Sequence, residues 1–134
     1  MLSKLPTKSL IITALPAERA EIVRHLSDSR TERSSAGTEY QVGNFASWKI
    51  CVAQIAPGNS SAALETERAV RHFDPDLALF VGVAGGVKDV KLGDVVVATK
   101  VYGYEGGADR EHFQPRPEVF FSSYPLIQEA CTYG

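Results

Sequence analysis

The residue best suited to chemistry is Glu18, which follows the apolar segment 9–14 by four positions and lies in the first turn of a helical pattern. A carboxylate at the end of a buried strand can act as a general acid or base on a water molecule or a hydroxyl group. A carboxylate in the first turn also stabilises a helix through the helix dipole, with no chemical role. Both interpretations of Glu18 stay open at this point.

A second candidate is the glycine-rich segment 82–86, Gly-Val-Ala-Gly-Gly, at the end of the most apolar stretch of the chain. Glycine lets the backbone approach a ligand closely, and open α/β sheets bind ligands at the carboxyl ends of their strands. Since a polar turn follows, the segment matches neither the dinucleotide motif, which leads into a helix, nor the phosphate-binding P-loop. Glycines that only permit a sharp turn are the alternative.

Other catalytic or metal-binding patterns are missing from the sequence. His25, His72 and His112 share no metal-ligand spacing with one another or with the two cysteines, so we expect neither a metal nor a cofactor. No G-x-S-x-G elbow marks a nucleophilic serine. Cys51 and Cys131 form no disulfide pattern, which predicts buried thiols in a reducing compartment.

The elements that would position Glu18 and the glycines follow from hydrophobic periodicity. The predicted order is strand 9–14, helix from 16 or 17 to 27 or 28, mobile loop 27–37, hairpin strands 39–42 and 48–55 with a turn at Gly43-Asn44, helix 60–73, strand 77–83, strand 94–99, an irregular stretch through 117, and a helix from 124. This order predicts an α/β fold with a mixed sheet covered on both faces.

Composition limits the class of protein and its partners. The chain has 134 residues, of which 44% are apolar and 22% charged, with a formal charge of −2, and we interpret residues 1–134 as one soluble domain. Because there is no block of Lys and Arg, nucleic acid is not expected as a partner, and a small molecule is favoured.

The longest apolar run, residues 77–87, is shorter than the ~18 residues that cross a bilayer. Residues 4–17 loosely resemble a signal peptide, but a buried first strand is the favoured interpretation, and we expect a cytoplasmic protein.

Taken together, several segments resemble the nucleoside phosphorylase and nucleosidase superfamily, and most closely its methylthioadenosine/S-adenosylhomocysteine nucleosidases. These segments are Ala-Leu-Pro-Ala-Glu at 14–18, Ala-Pro-Gly-Asn-Ser-Ser-Ala-Ala at 56–63, Pro-Asp at 75–76, Phe-Val-Gly-Val-Ala-Gly-Gly-Val at 80–87 and Leu-Gly-Asp-Val-Val-Val-Ala at 92–98. The resemblance implies a three-layer αβα sandwich around a mixed sheet, cleavage of the N-glycosidic bond of a purine nucleoside, and a homodimer in which the region 102–117 lies near the neighbouring subunit.

The resemblance also assigns roles to residues. Glu18 matches the acidic residue that orients and deprotonates the attacking water, Leu15 a residue beside the ribose, and Val83, Ala84 and Gly85 the segment that lines the ribose and the base. Residue 83 is valine where the nucleosidases often carry a hydroxyl group. The segment 15–18, Leu-Pro-Ala-Glu, stands where phosphorylases have a Gly-Asp-Pro turn and a phosphate-binding arginine, which favours hydrolysis over phosphorolysis.

Family members continue beyond the position that matches Gly134, and their second half provides the Met-Glu pair that grips the ribose and the Asp that protonates the purine. We therefore expect this chain to correspond to the N-terminal part of such a domain, with an exposed sheet edge and little activity alone. A non-catalytic nucleoside-sensing domain and a phosphorylase are the alternative functions.

Overall fold

A computed structural model describes residues 7–56, 58–103, 107–108 and 114–133, and the chain forms two compact units, residues 1–85 and 86–134. The first unit contains a mixed five-stranded sheet with strand order β2-β3-β4-β1-β5. Its elements are β1 (Lys8–Thr13), α1 (Pro16–Val23), β2 (Ser27–Arg33), β3 (Glu39–Phe45), β4 (Trp48–Gln54), α2 (Asn59–Phe73) and β5 (Leu77–Phe80). The predicted α/β fold with a mixed sheet is confirmed.

Strand β1 lies inside the sheet because its residues are apolar on both faces. It runs parallel to β4 and to β5, and Leu10 is opposite Cys51 on one side and Ala78 on the other. Leu10 and Cys51 are completely buried. A near-continuous apolar run is typical of a parallel strand with both faces covered, as the sequence predicted for this segment.

The two helices of the first unit pack on opposite faces of the sheet. Leu10 and Ile12 belong to a buried cluster with Ala69 and Phe73, which lie four residues apart on one side of α2. Gln41 points to the other face of β3 and lines an open cavity with α1, which has no fully buried residue. The described residues of this unit are thus layered helix, sheet, helix.

The predicted mobile loop 27–37 is wrong over most of its length, because residues 27–33 form strand β2, antiparallel to β3. Six of its seven residues are exposed, so β2 is an edge strand in contact with solvent on both faces. An edge strand of this kind needs no alternation of apolar and polar residues, which is why its polar sequence resembles a loop.

The hairpin of β3 and β4 exists, but its turn is at Ala46-Ser47 and the predicted turn at Gly43-Asn44 is wrong. Phe45 and Trp48 are paired across it, and Ala46 has a positive φ of 50°. Gly43 lies inside β3, where an added Cβ would be 2.8 Å from Cβ of Leu26 and 2.9 Å from the carbonyl oxygen of Ser27. The missing side chain at residue 43 therefore lets β3 pack closely against Leu26 and Ser27, where β2 begins.

Strand β5 is shorter than predicted, since it ends at Phe80 and not at residue 83. The Val81 N–H still donates to the Ile12 carbonyl at 2.9 Å. Because β1 ends at Thr13, the residues after Val81 have no neighbouring strand with which to pair. As the last strand in the sheet, β5 leaves 65% of Phe80 exposed. Strand β5 thus forms one edge of the sheet, and β2 forms the other.

The second unit contains two short antiparallel pairs and a helix. These are β6 (Lys100–Gly103) with β9 (Glu118–Phe121), β7 (Gly107–Ala108) with β8 (Gln114–Pro115), and α3 (Tyr124–Tyr133). The helix from 124 is confirmed, whereas the irregular stretch through 117 includes parts of these strands.

The predicted strand 94–99 is wrong: its valines find no partner strand among the described residues, and Val95 is 92% exposed. Residues 104–106 and 109–113, including His112, lie outside the described residues.

None of the helices in the described ranges combines the length and the apolar character needed to span a bilayer.

Candidate functional site

Glu18 is positioned by the abrupt change from β1 to α1. The strand ends at Thr13, Leu15 caps the helix with extended backbone angles, and Pro16 occupies the first helical position. Proline favours this position because its fixed φ is helical and it lacks the N–H that would otherwise be unpaired. Glu18 therefore falls at the third helical position, and its Oε2 accepts hydrogen bonds from the N–H groups of Ala14 at 3.0 Å and Leu15 at 2.9 Å.

The second oxygen of the same carboxylate reaches a segment far away in sequence. Oε1 of Glu18 accepts a hydrogen bond from the N–H of Val83 at 2.9 Å, just beyond the end of β5. Strands β1 and β5 are parallel neighbours, so their carboxyl ends lie side by side. The structure thus brings Glu18 and the glycine-rich segment together, at the sheet edge where α/β proteins bind ligands.

These three donors set the charge state of Glu18. The Val83 N–H is the main cause that lowers the pKa of Glu18, followed by the Leu15 N–H; partial burial opposes them, and the Ala14 N–H adds a smaller lowering. Glu18 is therefore ionised at neutral pH. Because a carboxylate has about four acceptor positions, one remains on Oε1 beside the Val83 bond, and it can accept a hydrogen bond from water.

Leu15, Val83, Ala84 and Gly85, the other predicted site residues, differ in how they relate to Glu18. Leu15 and Val83 contact its carboxylate through their backbone N–H groups, while their side chains are 46% and 81% exposed. Ala84 is exposed, and a Cβ added at Gly85 would meet no atom within 4 Å. These side chains form an open surface next to Glu18.

Gly82 begins the glycine-rich segment that the sequence singled out, but the sequence assigned it no role of its own. A Cβ on Gly82 would lie 2.8 Å from Oε1 of Glu18, 3.1 Å from Cδ and 3.2 Å from Oε2. Its place directly before Val83 was visible in the sequence, but its contact with a residue 64 positions earlier depends on the pairing of β1 with β5.

Within the ranges that the structure describes, no group of three or more His, Cys, Asp or Glu side chains is placed to hold a metal ion. Burial raises the pKa of the Cys51 thiol to about 12, which agrees with the predicted buried cysteine. Cys131 is exposed on α3, and the prediction of a second buried thiol is wrong.

A sequence model of the phosphorylase superfamily matches residues 8–133. The chain belongs to this superfamily. The resemblance inferred from residues 14–18, 56–63 and 80–98 is therefore confirmed, and the match includes Glu18 and Val83.

Curated relatives of the chain include nucleosidases. It is 30% identical over 135 residues to the ATP nucleosidase Cap17 of Escherichia coli strain KTE188, an alignment that covers 92% of this chain and 27% of that protein. It is also 30% identical to the 5′-methylthioadenosine/S-adenosylhomocysteine nucleosidase of Haemophilus influenzae, with coverage of 89% and 55%. The chain thus spans about a quarter to just over half the length of these relatives.

Solved structures show the same fold. The methylthioadenosine/S-adenosylhomocysteine nucleosidase of Colwellia psychrerythraea in complex with adenine is 25% identical, with a TM-score of 0.79 and coverage of 98% of this chain and 56% of that one. The corresponding enzyme of Helicobacter pylori is 26% identical, with a TM-score of 0.77 and coverage of 95% and 57%. The mixed sheet and its helices therefore belong to the nucleosidase fold.

Proposed function

We propose that this chain carries the water-activating part of a nucleosidase that hydrolyses the N-glycosidic bond of an adenine nucleoside, with methylthioadenosine or S-adenosylhomocysteine as the substrates. The observation that carries the proposal is the Glu18 carboxylate, held by three backbone N–H groups where β1 and β5 end side by side. The relatives add the substrate class, because one is named for ATP and the others for methylthioadenosine and S-adenosylhomocysteine.

In the proposed reaction, Glu18 accepts a hydrogen bond from a water molecule on its free Oε1 position. The water oxygen forms a bond to C1′ of the ribose as the bond from C1′ to the purine nitrogen breaks, and the electron pair of that bond leaves with the purine. The water proton passes to Glu18, and the purine takes up a proton from a separate donor. The products are free adenine and a ribose that carries the new hydroxyl group. A correctly placed base contributes roughly 10²–10⁴ to such a rate.

The charge of Glu18 also supports hydrolysis over phosphorolysis. A glutamate is ionised at neutral pH, and with its pKa lowered further Glu18 holds this negative charge beside Val83. A phosphate anion at the same place would be repelled, since like charges at short range are unfavourable. A neutral water molecule is instead attracted as a hydrogen-bond donor.

We assign only the water-activating step to the described residues. Protonation of the leaving purine is worth roughly a further 10²–10⁴ in rate.

The test is adenine release by the chain at high enzyme concentration, measured by chromatography with methylthioadenosine, S-adenosylhomocysteine, adenosine or ATP, in buffers with and without phosphate. Release without phosphate supports the proposal, and release that requires phosphate indicates a phosphorylase. Thermal stabilisation by a nucleoside without any release indicates a sensing domain. No release and no stabilisation would refute a nucleoside site.

Glu18→Gln tests the residue itself. We expect adenine release to fall by roughly 10²–10⁴ while nucleoside binding persists. Glu21→Gln is the matched control, because it removes an exposed carboxylate on the same helix that pairs with Arg24 at 2.9 Å. Equal activity of the Glu18→Gln variant and the wild type would contradict the assigned role.

A cytoplasmic homodimer completes the proposal. The two cysteines without a disulfide pattern support a reducing compartment, and exposed apolar residues such as Phe80 are compatible with a covered surface in an assembly. Light scattering coupled to size exclusion would measure the mass directly; a monomer at all accessible concentrations would contradict the dimer.

A further inference from the structure

Gly82 lacks a side chain at the one place where the Glu18 carboxylate needs the space. The three atoms nearest to a Cβ built on Gly82 are Oε1, Cδ and Oε2 of Glu18, at 2.8, 3.1 and 3.2 Å. Real Cβ atoms essentially never approach another atom to under 3.0 Å. The φ angle of Gly82 is not positive, so φ alone does not require glycine at this position. Because these three atoms are the end of a flexible side chain, a side chain at residue 82 would displace the carboxylate and not the backbone.

A side chain at residue 82 would break one particular contact of Glu18. The Oε2 atom is fixed by the N–H groups of Ala14 and Leu15, which belong to the same turn as Glu18. The Oε1 atom is closest to the added Cβ, and its only hydrogen bond in the described structure comes from Val83. A displaced carboxylate would therefore pivot about Oε2 and move Oε1 away from the Val83 N–H.

We propose that Gly82 is a positioning residue: its missing side chain seats the Glu18 carboxylate against the Val83 N–H and so aims Oε1 at the attacking water. The contact between Gly82 and Glu18 is a matter of geometry alone, whereas the effect of Gly82 on catalysis rests on the proposed nucleosidase function. Gly82 acts through Glu18 and contacts no substrate atom in this proposal.

The first experiment is NMR spectroscopy of the 134-residue chain and needs no substrate. In Gly82→Ala we expect the Val83 amide proton to move upfield and to exchange faster with solvent, because its hydrogen bond to Glu18 is lost, while the Ala14 and Leu15 amides keep their positions. The Glu18 side-chain carboxyl carbon should titrate at higher pH, since the Val83 N–H is the main cause of the lowered pKa. Gly85→Ala is the control, because its Cβ enters open space; it should leave the Glu18 titration unchanged.

A double-mutant cycle covers the case in which Gly82→Ala alone unfolds. Gly82→Ala should lower the melting temperature of the wild type and should leave that of the Glu18→Ala variant unchanged or raised, since removing the carboxylate removes the clash. Equal losses in both backgrounds, or a Val83 amide and a Glu18 titration unaffected by Gly82→Ala, would overturn the proposal.

The activity measurement separates this inference from the proposed function. If the wild type releases adenine, Gly82→Ala should lower kcat with little change in KM, and the acid limb of its pH profile should move to higher pH together with the Glu18 titration. An unchanged kcat and pH profile would overturn the catalytic consequence. If the wild type releases no adenine, the proposed function fails, while the NMR result still decides whether Gly82 positions Glu18.

Discussion

Replacing Gly43 with alanine should destabilise the first unit, because two rigid groups occupy the space that a side chain would need. A Cβ at Gly43 would lie 2.8 Å from Cβ of Leu26 and 2.9 Å from the carbonyl oxygen of Ser27. One of these atoms is attached directly to the backbone and the other belongs to it, so neither can move without shifting the chain that leads into β2. On the other side, Gly43 is held in register opposite Ile50.

The size of the effect follows from two opposing terms. Overpacking of this kind costs roughly 1–3 kcal/mol, and the loss of glycine's freedom in the unfolded chain offsets roughly 0.4–1 kcal/mol. The net loss is about 1–2 kcal/mol, which lowers the ratio of folded to unfolded protein roughly 5- to 30-fold.

Urea unfolding followed by the fluorescence of Trp48 would measure this loss, since Trp48 is the single tryptophan of the chain and begins β4 in the same hairpin. Gly85→Ala is the matched control, because it makes the same chemical change where a Cβ meets no atom within 4 Å. If Gly43→Ala and Gly85→Ala unfold at the same urea concentration, the close approach of residues 26 and 27 to β3 is refuted.

Four further outcomes are expected. Asp76→Asn should lower the melting temperature at neutral pH but not well below pH 3.8. The N–H groups of Lys8 and Thr7 lower the pKa of Asp76, so the stability that its ionised form contributes is lost as the pH falls through that lowered value. Glu18→Gln should show the same convergence with wild type well below pH 4.5, because the pKa of Glu18 is also lowered; thermal unfolding across a pH series would measure it. Phe73→Ala should cost about 3–5 kcal/mol in urea unfolding, since Phe73 is 6% exposed in the core. A thiol reagent at pH 8 should label Cys131 rapidly and Cys51 only after unfolding, as mass spectrometry of the modified peptides would show.

The parts of the fold that the sequence predicted are those whose pattern depends on local burial. Strand β1 is apolar on both faces, and helix α2 places Ala69 and Phe73 at the spacing that one helix face requires. The polar edge strand β2 could not be recognised in this way, because neither face of it is buried. Residues 95–97 show the opposite failure, since three successive valines predict a strand only where a neighbouring strand can complete the hydrogen bonds.

The candidate site was predictable in outline but not in its contacts. Glu18 and the segment 82–86 each follow an apolar strand, and the rule that ligands bind at carboxyl ends of strands places them together. That Oε2 of Glu18 binds the N–H of Ala14 while Oε1 binds that of Val83 depends on the parallel pairing of β1 with β5. The role of Gly82 depends on the same pairing, and no local pattern encodes it.

Glu18 and Asp76 together show why hydrogen bonds alone do not define a catalytic carboxylate. Each joins the β1 segment to the β5 segment through backbone N–H groups, and each has a lowered pKa for that reason. Asp76 does so at the amino ends of the two strands, whereas Glu18 does so at their carboxyl ends. Ligands bind at the carboxyl ends, so only Glu18 has a position from which to act on one.

The pair therefore provides a comparison that separates stability from chemistry. Glu18→Gln and Asp76→Asn each remove one charged acceptor from the same pair of strands, and both should lower the melting temperature at neutral pH. At a temperature where both variants are fully folded, adenine release should persist in Asp76→Asn and fall by roughly 10²–10⁴ in Glu18→Gln. Equal loss of release in the two variants would mean that Glu18 contributes to activity only by holding β1 and β5 together.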